Sequence, residues 1–465
     1  VSYNFNIYNS ISQKRYRRNL KSKRKKKAKR ILINEDFIEL KLILNNDYSY
    51  YNILETFLPK NLKYLLWCEN SHLFIENLFF KQINTNGIFF VPVRFSLIDN
   101  PEISYDFIRI VTSALIFQQN STIVIDYTYC NYVSLDAQIY LDIVIKDVIT
   151  FFKRCRKYKR LRSNVEEIKG NNANNADVRK MLFSVGSPTI HANSSIKYDD
   201  IIPYKLCIHN SLSKSPKNIN RKDVDTTLLA DYVITCLARL NRKLSDEKLS
   251  DLCIVISEIL INAEEHSTNN YRYSIGYFTE MNSNGDHFGI FRLVILNFGK
   301  TIYEKFKDPN CPNQNSVKKM IDLSETYNKK RFWVKKEFEE ETLWTLYSLQ
   351  EGITSTDPKE YKQRGNGSIR FIESFFNIKG TKQIEDNISK MTLMSGNSKI
   401  VFDGTYNIVS DIKHGEKFQY MTFNESGNIM NKPDSKFVSF VENYFPGTII
   451  SAEILFNEDD LEYGN

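Results

Sequence analysis

Within "SEILINAEEHST" (257–268) an acid, an amide and an imidazole recur every fourth residue, as Glu258, Asn262 and His266. On a helix that spacing stacks all three along one face. A carboxylate can take a proton and an amide oxygen can hold a hard cation, so the stripe carries parts for acid–base and metal-ligand chemistry. Leu252, Val255, Ile256, Ile259, Leu260 and Ala263 fill the remaining sides, the pattern of a helix packed into a core. Such a stripe either faces solvent or lines a site, and its spacing fits both. A histidine at a helix end is more often a cap or a packing residue, which leaves His266 out of the chemistry.

Three further marks follow downstream. "VILNFGKTI" (294–302) reads as a strand ending in Asn297, Gly299 and Thr301. "QRGNGSIRFIESF" (363–375) is a glycine loop running into a helix, and "FPGTIISAEIL" (445–455) sets Gly447 and Thr448 at the start of a last apolar strand. In this order, the four segments resemble the boxes of the GHKL (Bergerat-fold) ATPases, which include histidine kinases, anti-sigma-factor serine kinases, type II topoisomerases and large heat-shock chaperones. "EILINAEEHS" is most similar to the N box of the anti-sigma kinases and histidine kinases, and "RGNGS" to their second glycine box. The resemblance covers residues 225–456, about half of the chain.

The resemblance implies a magnesium–ATP site. Asn262 would be the magnesium ligand, its amide oxygen joining those of the phosphates. Glu258 would be the general base toward the water that attacks the γ-phosphate, or toward a Ser or Thr hydroxyl in a kinase. Gly365, Asn366 and Gly367 would bring backbone N–H groups to phosphate at a helix N-terminus, with Arg364 adding a charge-assisted contact. Asn297, Gly299, Thr301 and Thr448 would complete the nucleotide pocket. One departure stands out: the family's first glycine box begins with Asp, and here that position is Asn297, while Thr301 replaces the box's second glycine. An amide oxygen still accepts from the adenine amino group, but the neutral contact is weaker. On this reading Asn297→Asp is expected to tighten ATP binding by on the order of 1 kcal/mol.

The elements that must position these residues follow from periodicity. Strand patterns at 87–97 and 121–128, helical spacing at 104–119 and an amphipathic helix at 134–155 with Ser134 as its N-cap predict a first α/β layer. This segment, 87–208, resembles a STAS-like domain, which would put Ser134 near a phosphorylatable serine; capping is the plainer role. Polar, breaker-rich "HNSLSKSPKNINRKD" predicts a linker at 209–224. Beyond it, helices at 225–243 and 246–267, strands at 271–280 and 288–297, a helix at 367–377 and strands near 391–395, 398–403 and 447–456 predict an α/β sandwich with a mixed or antiparallel sheet. The resemblance makes it a Bergerat sandwich, a mixed sheet with helices on one face. Residues 300–363 are an insertion where the family keeps its ATP lid. There "KKRFWVKKEFEEETLWTLYSLQEG" (329–352) predicts an amphipathic helix carrying Phe332, Trp333, Phe338, Trp344 and Tyr347. Such stripes are usually core; a lid helix that repacks on ATP binding is the sharper alternative. Residues 36–86 fit helix and strand equally.

The bulk properties bound the partners. The 465 residues are 42% hydrophobic, enough for two or three domains. The formal charge is +8, with +12 between Lys14 and Arg30, so the remainder of the chain carries −4. This basic tail (1–35) suits nucleic-acid phosphates, an acidic membrane surface or plain solvation, and with only Tyr16 interleaved it predicts no base stacking. Seven cysteines without a C-x-x-C pair predict neither a zinc site nor a disulfide framework. No apolar run reaches the roughly 18–20 residues that span a bilayer, and a cytoplasmic setting is expected. The expected function is a magnesium–ATP-dependent regulatory switch with a protein partner, acting by hydrolysis or by Ser/Thr phosphorylation. A nucleotide-binding scaffold without turnover and a nucleic-acid-associated ATPase effector in antiviral defence are the alternatives, and a homodimer is compatible with each.

Overall fold

The computed structural model describes residues 50–79, 86–117, 121–158, 165–187, 198–210, 221–265, 267, 270–283, 286–329, 339–350, 353, 355, 369, 372–373, 388–413 and 416–457. The chain divides at Leu58/Pro59 into two compact units. Of the first, helix α1 (Tyr50–Phe57) is described, with Thr56 Oγ1 donating to the Asn52 carbonyl.

The second unit begins with helices α2 (Lys60–Trp67) and α3 (Ile75–Phe79). A strand–helix alternation follows: β1 (Ile88–Phe90), β2 (Arg94–Phe95), α4 (Pro101–Ile116), β3 (Thr122–Asp126), β4 (Tyr132–Val133), α5 (Leu135–Lys157), β5 (Glu167–Asn171) and α6 (Ala176–Val185). Strands β1, β3 and β5 form a three-stranded parallel sheet in that order. Parallel neighbours need long crossovers, and α4 and α5 supply them. Pro101 opens α4 at a position where its missing N–H costs nothing, while Asn175 caps α6 by accepting from the Asp177 and Val178 N–H groups. Ser134 occupies the N-cap position of α5 without making the capping bond; its hydroxyl donates to Asp136 Oδ1 instead.

Strand β6 (Ile201–Asn210) spans the expected boundary at 208/209 and pairs with β7 (Tyr271–Ser283). Between them run α7 (Arg221–Arg239) and α8 (Asp246–Glu265). β7 pairs with β8 (Asp286–Phe298), and helices α9 (Ile302–Lys307), α10 (Gln314–Lys329) and α11 (Glu340–Ser348) follow. β9 (Lys390–Phe402), a hairpin of β10 (Val409–Lys413) with β11 (Glu416–Tyr420), and β12 (Val438–Asn457) complete the chain order. The large sheet has the order β6-β7-β8-β12-β9 and every pair in it is antiparallel.

Side chains alternate across that sheet. Phe291, Leu293 and Ile295 of β8, with Ile450, Ala452 and Ile454 of β12, join one core with Val233 of α7, Ile256 and Leu260 of α8, and Trp344 of α11. The other face meets the N-terminal layer. The Tyr140 ring of α5 lies 5.4 Å from Phe298 and 6.1 Å from Phe445, and Asn61 of α2 bonds the Tyr273 hydroxyl. The second unit is thus a mixed α/β structure whose antiparallel sheet is covered on both faces. The expected amphipathic helix at 329–352 is realised in part, as α11; Trp344 and Tyr347 are core residues, and Phe332, Trp333 and Phe338 lie outside the described residues.

Candidate functional site

A row of polar residues crosses the helix-facing side of the large sheet, one from each strand. His209 of β6 pairs with Arg272 of β7; Asn297 of β8 pairs with Thr448 of β12, and Thr448 with Ser395 of β9. Arg272 and Asn297 continue the register of the Tyr273–Leu296 pair. The last turns of α8 lie against this row.

Asn297 ties three segments together. It is 1% exposed; its Nδ2 donates to the Ala263 carbonyl of α8 at 2.6 Å, and its Oδ1 accepts from the Thr448 N–H at 3.2 Å. Gly447, just before Thr448, has φ +147°, and a Cβ there would stand 2.1 Å from the Asn297 carbonyl oxygen, so only glycine lets β12 approach β8 at this point. Gly299 donates to the Pro446 carbonyl across the same strand pair. Ser395, which sequence reasoning missed, binds both the Gly447 carbonyl and the Thr448 hydroxyl at 3.0 Å and accepts from the Ile302 N–H at 2.9 Å. Nothing in its sequence neighbourhood marks it; its place comes from the register of β9.

Thr301 has a structural task of its own. It is 1% exposed and caps α9, its Oγ1 accepting from the Glu304 N–H while Glu304 returns a bond to the Thr301 N–H. The Thr-x-x-Glu spacing at 301–304 is the sequence signature of that reciprocal cap. Asn262 is half-buried on α8, one residue before the carbonyl that Asn297 holds, and Thr448 is half-buried opposite. Glu258 lies on α8 four residues earlier, with its side chain outside the described residues, as are His266, Arg364, Gly365, Asn366, Gly367 and the basic stretch 14–30. The structure therefore brings Asn262, Asn297, Gly299, Thr301 and Thr448 to one end of the sheet.

The other half of the polar row is ionic. Arg272, 1% exposed, bonds Asp225 of α7 at 3.0 Å, and Asp225 is fully buried. His209 Nδ1 meets Glu264 Oε2 of α8 at 2.5 Å. Ser267 donates to the Phe298 carbonyl and accepts from the Tyr271 N–H, tethering the segment after α8 to both β7 and β8.

A separate cleft opens on the sheet's other face, between it and the N-terminal layer. Asp99, Tyr132 and Asp136 line one wall, with Tyr277, Arg292 and Glu453 on the other. Arg292 pairs with Glu453 at 2.8 Å and lies over the Tyr277 ring. Burial pushes the Asp136 carboxyl up to about 6, against the lowering effect of the Ser134 hydroxyl and the Leu97 N–H. Among the described residues no helix is long and apolar enough to cross a membrane. No family model matches this chain, and no curated protein or solved structure matches it.

Proposed function

We propose that the C-terminal part of the chain is a magnesium–ATP-binding module of the GHKL type, working as an ATP-controlled regulatory switch. The observation that carries this reading is the Asn297 amide, which joins the Asn262–Ala263 turn of α8 to the start of the Gly-Thr segment of β12. Three segments singled out for their nucleotide-binding pattern thereby meet at one end of one sheet, although 34 and 151 residues separate the partners of those two bonds. Asn262 is the magnesium ligand in this reading and Glu258 the general base. The glycine loop 364–367 takes the phosphates. Hydrolysis that drives a conformational cycle and transfer to a Ser or Thr of a partner use the same parts.

The direct test is calorimetry with magnesium–ATP. Asn262→Ala removes the amide oxygen at a position where a helix accepts Ala, and it is expected to abolish the metal-dependent part of the affinity. Unchanged affinity would remove Asn262 from the site and with it the reading.

A second reading, a scaffold that binds nucleotide without turnover, gains from the state of Asn297. Its amide is neutral and already bonded at both ends, so it offers adenine less than the family's carboxylate does. The N-terminal layer is a STAS-like regulatory partner in either reading, resting on the order β3, loop, α5 with Ser134 at the helix start. Ser134 is 8% exposed, so phosphorylation there requires the loop to open.

A further inference from the structure

Arg272 is the most heavily buried cation described in the polar row, and its donors are unequally served. Nη2 reaches Asp225 at 3.0 Å, whereas among the described residues Nε and Nη1 have no hydrogen-bond acceptor. Glu264 Oε2 stands 3.9 Å from Nε, and the same oxygen is 2.5 Å from His209 Nδ1. Two donors on adjacent strands, β6 and β7, therefore compete for one carboxylate on the last turn of α8. An unmet charged donor in a buried site is costly, so the Arg272 guanidinium draws Glu264 toward itself. A displacement of about 1 Å would complete that bond and break the one to His209.

We propose that Glu264 is a two-position latch, held by His209 in the arrangement described above and by Arg272 in a second one, and that its exchange shifts the last turn of α8 and so repositions Asn262. Glu264 and Arg272 are positioning residues: they act through Asn262, two residues before Glu264, and touch no nucleotide themselves. The bond from Asn297 to the Ala263 carbonyl lies in the same turn, so the shift is felt at β8 and β12 as well. The proposal rests on the reading of Asn262 as the magnesium ligand. A ligand that favours one latch position populates it at the expense of the other.

The test uses two variants of the full chain that bias the latch in opposite senses. Glu264→Gln keeps an acceptor for His209 but removes the charge that attracts Arg272. His209→Phe removes the donor that competes with Arg272 for Glu264. Both retain the buried Arg272–Asp225 pair, whose disruption is costly in itself, so Arg272 variants are avoided. Calorimetry with magnesium–ATP is expected to show the two affinities displaced in opposite directions from wild type, each on the order of fivefold. ATP affinity in EDTA should change less than magnesium–ATP affinity in both, because the latch acts chiefly through the metal ligand. A purely structural role would lower both affinities together, and that result overturns the latch, as does no change in either while wild type binds. If wild type binds no magnesium–ATP, the nucleotide reading has failed, and the latch is then judged by amide exchange over 260–265. Different exchange rates in the two variants support it, and equal rates overturn it.

Discussion

Asn297 shows how far a residue's type fixes its role. The Ala263 carbonyl can only accept and the Thr448 N–H can only donate, so the amide has one orientation that satisfies both. A carboxylate in its place would set an oxygen against the Ala263 carbonyl oxygen, an acceptor facing an acceptor in a site that is 1% exposed. The expectation from the family pattern, that Asn297→Asp tightens ATP binding, is therefore replaced by its opposite. The variant should lose about 1–3 kcal/mol of folding stability and bind ATP more weakly. Thermal melts paired with calorimetry check both, and tighter ATP binding at an unchanged melting temperature would return Asn297 to the role of adenine acceptor. Its position at the end of a strand was readable from "VILNFG". Its partners were not, because strand pairing and helix docking bring them from distant parts of the sequence.

At the scale of elements, local signals served well where the element is defined by its own residues. The helix–helix–strand–strand order after residue 220 and the apolar sides of α8 are periodic patterns, and both were readable. Thr301 carries a second local signal, the Thr-x-x-Glu cap, alongside its place in the glycine-box pattern. Two short strands expected near 391–395 and 398–403 are one strand, β9, in which Gly396 takes φ +61° at a register shift and lets the ladder continue. Gly447 does comparable work between β12 and β8, where an added Cβ would meet the Asn297 oxygen at 2.1 Å and Phe298 Cα at 2.9 Å. Those obstacles are backbone and cannot swing aside, and the positive φ adds strain. Gly447→Ala should therefore cost about 2–4 kcal/mol, read as a lower urea midpoint with an unchanged slope. An unchanged midpoint would mean that the β8–β12 ladder relaxes freely, which would weaken the case that this junction holds α8 in place.

The arrangement of the whole second unit was the least readable. A linker at 209–224 divides the sequence by composition, yet β6 belongs to the large sheet, and the N-terminal layer covers that sheet's second face. A signal for this exists in the uninterrupted run Leu293–Val294–Ile295–Leu296: a strand with one solvated face alternates, whereas this one is apolar on both. Tyr140 sits where the two layers meet, fully buried between α5 and the Phe298 and Phe445 rings. Truncating a buried aromatic of this size costs about 3–5 kcal/mol, and because its partners lie on β8 and β12 the loss is not confined to α5. Tyr140→Ala should therefore lower a single cooperative melting transition and speed amide exchange in β8 and β12 as well as in α5. Faster exchange in α5 with the sheet protected as in wild type would show two independently folding layers. A change in the N-terminal layer would then have no packed route through Tyr140 to the end of the sheet where Asn297 and Asn262 lie.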